Sequence, residues 1–348
     1  MKKLVRHRLF WPVTALLALI AINTIARPQF ILVTVRNGEL YGALIDILRN
    51  SAPLMLVALG MTIVIATRGI DLSVGAIMAV SGAVALTIID ASEDPGSLGT
   101  VAVAVLAAIA VSFILGSWNG FLVSIAGIQP IIATLVLMLA GRGVALLITG
   151  GFITTVNSAP YSFIATGYLV GLPVAFLISV AVIAILAVIE RRTALGVLTE
   201  AVGINPEASR LAGVRARGII FSAYVLSGTL AGVAGIIYSA NIRAADANAA
   251  GLFIELYAIL AVVLGGTSLL GGKFTIAGTV VGVLTIQTLE STILFLGVPS
   301  AQSPVFFAIV VIVVVVVQSP RLHSLARGFL RSRSRGRTDA AAKVEVAS

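Results

Sequence analysis

The sequence contains no cysteine and only two histidines, His7 and His323, in 348 residues. The lack of cysteine excludes disulfide scaffolds and thiolate metal sites, and it is compatible with any cellular compartment. Both histidines lie close to the ends of the chain. A histidine-based catalytic or metal centre in the interior is therefore not expected.

Charged residues are also scarce, at 11% of the chain, whereas soluble domains carry about a quarter. Hydrophobic residues make up 59%, and the mean hydropathy is +1.11. So little polar surface does not cover a water-soluble globule, and the composition predicts an integral membrane protein. The formal net charge is +9, but most basic residues flank apolar segments. This placement favours a role in membrane orientation over nucleic-acid binding.

Apolar runs long enough to cross about 30 Å of hydrocarbon recur along the chain. We expect an all-α membrane protein with about ten transmembrane helices. The predicted spans cover residues 10–27, 52–67, 71–90, 100–126, 131–149, 168–189, 217–240, 253–270, 275–296 and 303–318. A short polar break around Thr67–Gly69 separates the second span from the third, so a broken or re-entrant element is the alternative there.

The distribution of lysine and arginine predicts that both termini face the cytoplasm. With ten spans, eighteen basic residues fall on the inner side and only Arg27, Arg36, Arg49 and Arg243 on the outer side. Such an excess is typical of cytoplasmic loops. We therefore expect one transmembrane domain, residues 1–320, followed by a basic, disordered cytoplasmic tail at 321–348.

The stretch at residues 264–274 reads LGGTSLLGGKF and has the composition of a phosphate-binding loop. With Gly272 and Lys273 as the Gly-Lys pair, a Walker A motif requires a glycine where Thr267 stands and a hydroxyl where Phe274 stands. The spacing therefore excludes a nucleotide site here. We expect the glycines to form a tight cytoplasmic turn between two packed helices.

Residues 190–216 form the predicted inner loop that is long enough to fold. Asn205 is a good N-cap, Pro206 suits the first helical position, and Glu207 favours the positive end of the helix dipole. The pattern predicts a two-turn helix that begins at Pro206 and ends just before Gly213, a typical stop. Because so short a helix is marginal alone, it needs support from neighbours or from a partner protein. An ordinary cytoplasmic loop is the alternative.

Long stretches of the chain resemble the permease subunits of ABC importers that carry ribose, xylose and related sugars. Their coupling-helix loop is similar to EAVGINPEASRLAGV, and two further signatures are similar to GMTIVIATRGIDLSVGAIMAVSG and ELYAILAVVLGGTSLLGGKFTIAGTVVG. The galactofuranose-type permeases in particular resemble LYGALIDILRNSAPLMLVALGMT and IRAADANAAGL. The resemblance covers nearly all of residues 40–320.

The resemblance implies the permease subunit of a binding-protein-dependent ABC importer in the bacterial inner membrane, without enzyme activity or a cofactor of its own. It implies an ATPase subunit that binds the ATP, a second permease chain, identical or related, a periplasmic sugar-binding protein and contact with membrane lipid. The cargo would be a galactofuranose-like or ribose-like monosaccharide. The coupling residues would be Glu200, Gly203, Asn205, Pro206, Glu207, Arg210 and Gly213.

Two other classes compete with this interpretation. An ATP-independent secondary transporter or channel for a small polar solute would need no docking helix. A membrane enzyme would need a reactive cluster, and the sequence shows none.

Two residues depart from the family pattern. The usual T-G-G-I-D-L-S reads T-R-G-I-D-L-S here, because Arg68 replaces the first glycine. The usual E-L-D-A-I reads E-L-Y-A-I, because Tyr257 replaces the acid. We expect Arg68 to extend to the cytoplasmic lipid headgroups. If the usual residues touch the substrate, these changes alter the sugar specificity.

Polar and ionisable groups in or beside the spans are candidates for the substrate path. They are Asp71, Asn119, Arg142, Asp246, Asn248 and Glu255. We expect Asp71 to cap backbone amides at the start of the third span, with pore lining as the alternative. Arg142 is expected to pair with a carboxylate, either Glu255 or Asp71, or with backbone carbonyls.

The neutral and outward-facing candidates keep two interpretations each. Asn119 hydrogen-bonds either a sugar hydroxyl or a neighbouring helix. Asp246 and Asn248 lie in the outward segment NIRAADANAAG. They face an arriving sugar or binding protein, or they belong to a solvated loop.

Overall fold

The computed structural model of the protein describes residues 9–295 and 297, together with isolated residues at 305, 308, 309 and 312. The chain divides into two units, Met1–Ser291 and Thr292–Ser348. In the second unit the described residues are the end of one helix, Gly297 in a turn and the isolated helical positions beyond it. The predicted span at 303–318 and the tail at 321–348 therefore lie largely or wholly outside the described residues.

The described residues form α-helices joined by short loops, with three two-stranded β pairs. The helices are α1 (Phe10–Ala26), α2 (Ala43–Ala66), α3 (Val74–Asp90), α4 (Leu98–Ser124), α5 (Pro130–Ile148), α6 (Ala159–Thr166), α7 (Val174–Arg192), α8 (Leu195–Ile204), α9 (Pro206–Leu211), α10 (Ala216–Ile242), α11 (Ile254–Leu264) and α12 (Ile276–Phe295), and a 3-10 turn covers Pro28–Ile31. The strands are β1 (Thr34–Arg36), β2 (Glu39–Tyr41), β3 (Thr154–Thr155), β4 (Tyr168–Leu169), β5 (Leu172–Pro173) and β6 (Ala244–Ala245).

Six of the described helices, α2, α4, α5, α7, α10 and α12, are long and apolar enough to cross a membrane. Helices α1, α3, α8 and α11 are shorter apolar helices. Each of the first nine predicted spans overlaps a helix, so the predicted helical architecture is confirmed. The count of ten and the position of the termini stay predictions.

Three of the predicted boundaries were wrong for local reasons. Helix α2 begins well before residue 52, because Arg49 pairs with Asp46 one turn earlier at 2.9 Å and both stay in the helix. The sixth span begins at Val174, since β4 and β5 form a hairpin ahead of it. Helix α11 ends at Leu264, because the glycine-rich stretch leaves the helix there.

The polar break between the second and third spans is real. Helix α2 ends at Ala66, and α3 begins only at Val74. Between them Arg68 takes a left-handed conformation, with φ +67°. We call residues 67–73 the α2–α3 break.

Helix α10 lies at the centre of the first unit, where it packs against α4, α2 and α3. Its crossing with α4 depends on glycine, because a Cβ on Gly228 would lie 2.6 Å from the Cα of Gly116. Small residues at such crossings let backbones approach closely in membranes. In α2, 72% of the most apolar stretch is buried, against 22% in α4. Helix α2 therefore belongs to the core and α4 to the periphery.

The loops sort into two ends of the first unit. At one end β1 pairs with β2 and β3 with β6, and the backbone N–H of Leu40 donates to Gly171 at 3.0 Å. At the other end, the backbone N–H of Gly272 donates to the Ala66 carbonyl at 2.9 Å. Each contact joins segments that the alternation of spans assigns to the same side of the membrane. The geometry therefore agrees with that alternation.

Candidate functional site

Helix α9 is the short helix that the loop at 190–216 predicts. The Asn205 side chain caps it by accepting the Ala208 backbone N–H at 3.0 Å, and Pro206 takes the first helical position. The chain turns away at Gly213, whose φ is +85°. The predicted helix is confirmed, and it ends at Leu211.

The outer side of α9 presents a mixed charged and apolar surface. Glu207 accepts from Arg210 at 3.1 Å, with 76% and 69% of the two side chains exposed. Leu211 beside them is 82% exposed. An ion pair this exposed contributes little to folding stability. We call Glu207, Arg210 and Leu211 the α9 surface, and its chemistry is available to a partner.

The base of this segment is held against two other loops. A Cβ on Gly203 would lie 1.8 Å from the Ala66 carbonyl oxygen and 2.6 Å from the Gly272 nitrogen. The Gly272 N–H itself donates to that carbonyl. The end of α2, the end of α8 and the glycine-rich turn therefore meet with backbone against backbone. We call this meeting point the inner junction.

Arg68 belongs to the inner junction at an exposed position, and the expectation that it extends to lipid headgroups stays a prediction. Its guanidinium Nη2 donates to the carbonyl of Ile204, the last residue of α8. Its Cγ lies close to Gly271, where an added Cβ would come within 2.4 Å. A carbonyl at a helix C-terminus has no partner within its helix and attracts positive charge, which explains this choice.

The glycine-rich stretch forms a turn between α11 and α12. A Cβ on Gly278 would lie 2.1 Å from the Gly265 carbonyl oxygen, so the two arms approach closely. An open cavity of about 330 Å³ is lined by Gly266, Ser268, Gly271 and Lys273. This is the tight turn between two packed helices that we expect from the glycines of this stretch, once a nucleotide site is excluded.

Asp71 lies in a buried cluster within the α2–α3 break, and it is only 1% exposed. Its Oδ1 accepts the Ser73 backbone N–H at 3.0 Å and the Ser73 hydroxyl at 2.6 Å. Its Oδ2 accepts the Ser227 hydroxyl of α10 at 2.8 Å. The contact with the Ser73 backbone N–H is the kind of amide capping that we expect from an acid placed just before a helix.

Asn119 extends this cluster to α4. Its Nδ2 donates to the Ser73 hydroxyl at 2.8 Å, and the residue is fully buried. Its Oδ1 has no hydrogen-bond partner among the described residues. Asp71 and Asn119 thus join three helices in this conformation, and a role for either in a substrate path stays a prediction.

Arg142 binds backbone carbonyls at the opposite end of the first unit. Its Nη1 donates to Ala247 at 2.8 Å, to Asn248 at 3.2 Å and to Ala250 at 2.8 Å. We expected Arg142 to pair with either a carboxylate or backbone carbonyls, and in the structure it binds the carbonyls. In the described chain no ion pair joins it to Glu255 or Asp71.

The remaining path candidates lie near this loop. Asp246 accepts the backbone N–H groups of Asn248 and Ala249 at 2.9 and 3.1 Å, while Asn248 is exposed. Glu255 is 3% exposed on the first turn of α11, with its carboxylate against Gly75 of α3. Asp246 therefore shapes the loop, and Glu255 is packed between helices.

Sequence reasoning missed several residues of these clusters. Ser73 and Ser227 carry no charge and gave no signal in a chain rich in small residues. Glu290 of α12, which accepts from Gln287 at 3.0 Å, was also missed. The rule that ionisable residues inside spans are functional candidates would have identified it. Tyr257, the second departure from the family pattern, is half-buried on α11.

Residues 43–315 match the family described as "Branched-chain amino acid transport system / permease component". The chain belongs to this permease family. No solved structure matches it.

Three relatives match this permease along most of their length. It is 47% identical to the galactofuranose transporter permease protein of Escherichia coli, over 95% of this chain and 96% of that one. It is 43% identical to the fructose import permease protein of Bifidobacterium longum, over 96% and 94%. It is 38% identical to the ribose import permease protein of Escherichia coli, over 88% and 92%. The predicted resemblance to sugar permeases is confirmed.

Proposed function

We propose that this permease is the membrane-spanning subunit of a binding-protein-dependent ABC importer, and that it moves a monosaccharide across the bacterial inner membrane into the cytoplasm. A separate ATPase subunit binds and hydrolyses the ATP. A second permease chain, identical or related, completes the path, and a periplasmic binding protein delivers the sugar.

The observation that carries this proposal is the exposed α9 surface, together with the packing of the segment's base at the inner junction. Helix α9 is capped by Asn205, projects Leu211 at 82% exposure and rests on the inner junction. A stand-alone transporter has no need to brace a two-turn helix outside the membrane. A rigid projecting helix is suited to receive movement from another subunit.

The relatives support a sugar as the cargo. The three matched proteins are named for galactofuranose, fructose and ribose, while the family description names branched-chain amino acids. Because these relatives align over most of the chain, we expect a monosaccharide and no transport of leucine.

The outward apolar faces support a second chain and surrounding lipid. Leu106 of α4, Leu139 of α5 and Ile185 of α7 are exposed at 67%, 69% and 58%. Exposed apolar surface on this scale has to be covered by lipid or by another helix.

The decisive experiment measures uptake in proteoliposomes that contain the permease with its ATPase subunit. Radiolabelled ribose, fructose, galactose and leucine are offered outside with the binding protein, and ATP is enclosed or omitted. We expect one sugar to accumulate only with ATP. Equal uptake without ATP contradicts an ABC importer, and accumulation of leucine alone contradicts the sugar assignment.

Docking is tested by exchanging the charges of the α9 surface. The pair Glu207→Arg with Arg210→Glu preserves a local ion pair but inverts the charges that a partner meets. We expect co-purification of the ATPase subunit to fall at least tenfold while the permease stays folded. A control exchange of Asp46 and Arg49, the other described ion pair, should leave co-purification unchanged. Full retention of the ATPase subunit in the first variant contradicts docking at α9.

A further inference from the structure

Arg68 occupies a backbone conformation that costs most residues free energy. Its φ is +67°, in the left-handed region where a Cβ crowds the following carbonyl. Glycine takes this conformation without that penalty. The sequence thus places a long cationic side chain where the backbone alone favours glycine, and the contacts of that side chain show what it does there.

The side chain of Arg68 ties the end of α2 to the docking segment, which we define as α8 and α9. Its guanidinium donates to Ile204, the residue immediately before the α9 cap Asn205. Its stem lies over Gly271 of the glycine-rich turn. Charge-assisted hydrogen bonds to a helix C-terminus are stronger than neutral ones. Arg68 therefore connects the base of α9 to the α2–α3 break.

The other end of the same break is fixed in the membrane core. Asp71, three residues after Arg68, binds Ser227 of α10 and, through Ser73, Asn119 of α4. Only two residues separate the link to the docking segment from the link to α10 and α4. A short segment held at both ends transmits displacement better than one that is held at one end only.

We propose that Arg68 is a positioning residue that couples movement of the docking segment to α3, α4 and α10 through the α2–α3 break. This inference rests on the proposed function, because it assumes that an ATPase subunit moves α9. The hydrogen bond of Arg68 goes to Ile204, which lies outside the α9 surface, so we expect Arg68 to act on transmission and to leave docking intact.

Arg68→Gly tests the coupling, because it removes the side chain and keeps the backbone conformation. The readout is the number of sugar molecules taken up per ATP hydrolysed, measured with radiolabelled ribose, fructose or galactose in proteoliposomes of the complete complex. We expect this ratio to fall about 2- to 30-fold, the range of measured coupling effects. Co-purification of the ATPase subunit and the thermal unfolding midpoint should stay at the wild-type level or above.

Arg243→Gly is the matched control. Arg243 also has positive φ, +54°, and is exposed at the far end of α10. The control relieves the same backbone strain without touching the inner junction, so its transport ratio should match the wild type. Arg68→Lys, which keeps the charge but not the guanidinium fork, should recover part of the ratio.

Three results overturn the inference. They are an unchanged ratio in Arg68→Gly, loss of the ATPase subunit from that variant, and an equal drop in Arg243→Gly. Failure of the proposed function is distinguishable, because the wild-type complex then shows no ATP-dependent uptake at all.

Discussion

At the residue scale, burial determines what Asp71 contributes, because its carboxylate is the shared acceptor for donors in the α2–α3 break and on α10. A buried donor left without an acceptor costs about 1–3 kcal/mol. Asp71→Ala leaves the donors of Ser73 and Ser227 without their acceptor, so we expect a loss of about 2–4 kcal/mol in the free energy of unfolding. Asp71→Asn keeps one oxygen and should lose less. Denaturant unfolding in detergent measures both.

The control for Asp71 is Asp94. Its Oδ1 accepts the Gly96 backbone N–H at 3.1 Å, but this turn is exposed to solvent. Water replaces the lost acceptor in Asp94→Ala, which should change stability by less than about 1 kcal/mol. Equal losses at the two positions contradict the importance of burial for Asp71.

Arg142 organises the loop at residues 246–250 by donating hydrogen bonds to three of its backbone carbonyls. Arg142→Met keeps an apolar stem of similar width and removes the donor to Ala247, Asn248 and Ala250. We expect a loss of about 1.5–3 kcal/mol, the range for hydrogen bonds to charged groups, and faster proteolysis within 246–250. Arg36→Met, at an exposed position in β1, is the control, and a similar proteolysis rate there contradicts the role of Arg142.

The sequence indicates which residue types are costly in a membrane, but not which distant groups satisfy them. Asp71 and Arg142 were identified because ionisable side chains are rare in spans. Ser227 is 156 residues from Asp71, and Ile204 is 136 residues from Arg68. Neither pairing leaves a trace in local sequence, because both depend on how the helices pack.

At the scale of elements, Gly203 determines whether the docking segment rests on the membrane helices. Gly203→Ala places a Cβ 1.8 Å from the Ala66 carbonyl oxygen, and backbone cannot yield as a flexible side chain does. We expect a loss of about 3 kcal/mol, at the upper end of overpacking effects, together with weaker co-purification of the ATPase subunit.

Gly143→Ala is the matched change for Gly203. Gly143 lies inside α5, and a Cβ there meets nothing within 4 Å. Alanine in a helix interior should stabilise by about 0.5–1 kcal/mol. Thermal unfolding of both variants measures the contrast, and two variants of equal stability contradict close packing at the inner junction.

Local rules predicted the elements whose ends have their own chemical signals. Asn205, Pro206 and Gly213 fix the bounds of α9 from within the segment itself. Hydropathy alone misplaced the start of α2 and the end of α11, because a paired charge extends one helix and a glycine-rich turn shortens the other. Packing decides such boundaries.

At the scale of the whole molecule, two independent observations sort the loops into sides. The excess of lysine and arginine assigns residues 190–216 to the cytoplasm and the loop before α7 to the outside. The contacts place Gly203 with Ala66 and Gly272, and Leu40 with Gly171. Contacts distinguish two sets of loops but do not say which set faces the cytoplasm. Only charge supplies that assignment.

The absence of cysteine makes this orientation directly testable, because any introduced thiol is the only one in the chain. Val170 and Leu211 are 92% and 82% exposed and belong to opposite sets of loops. We expect a membrane-impermeant maleimide to label Val170→Cys on intact cells and Leu211→Cys only in inverted vesicles. Both side chains are exposed, so neither substitution disturbs packing. Labelling of Leu211→Cys on intact cells reverses the predicted topology and places the α9 surface out of reach of any cytoplasmic ATPase.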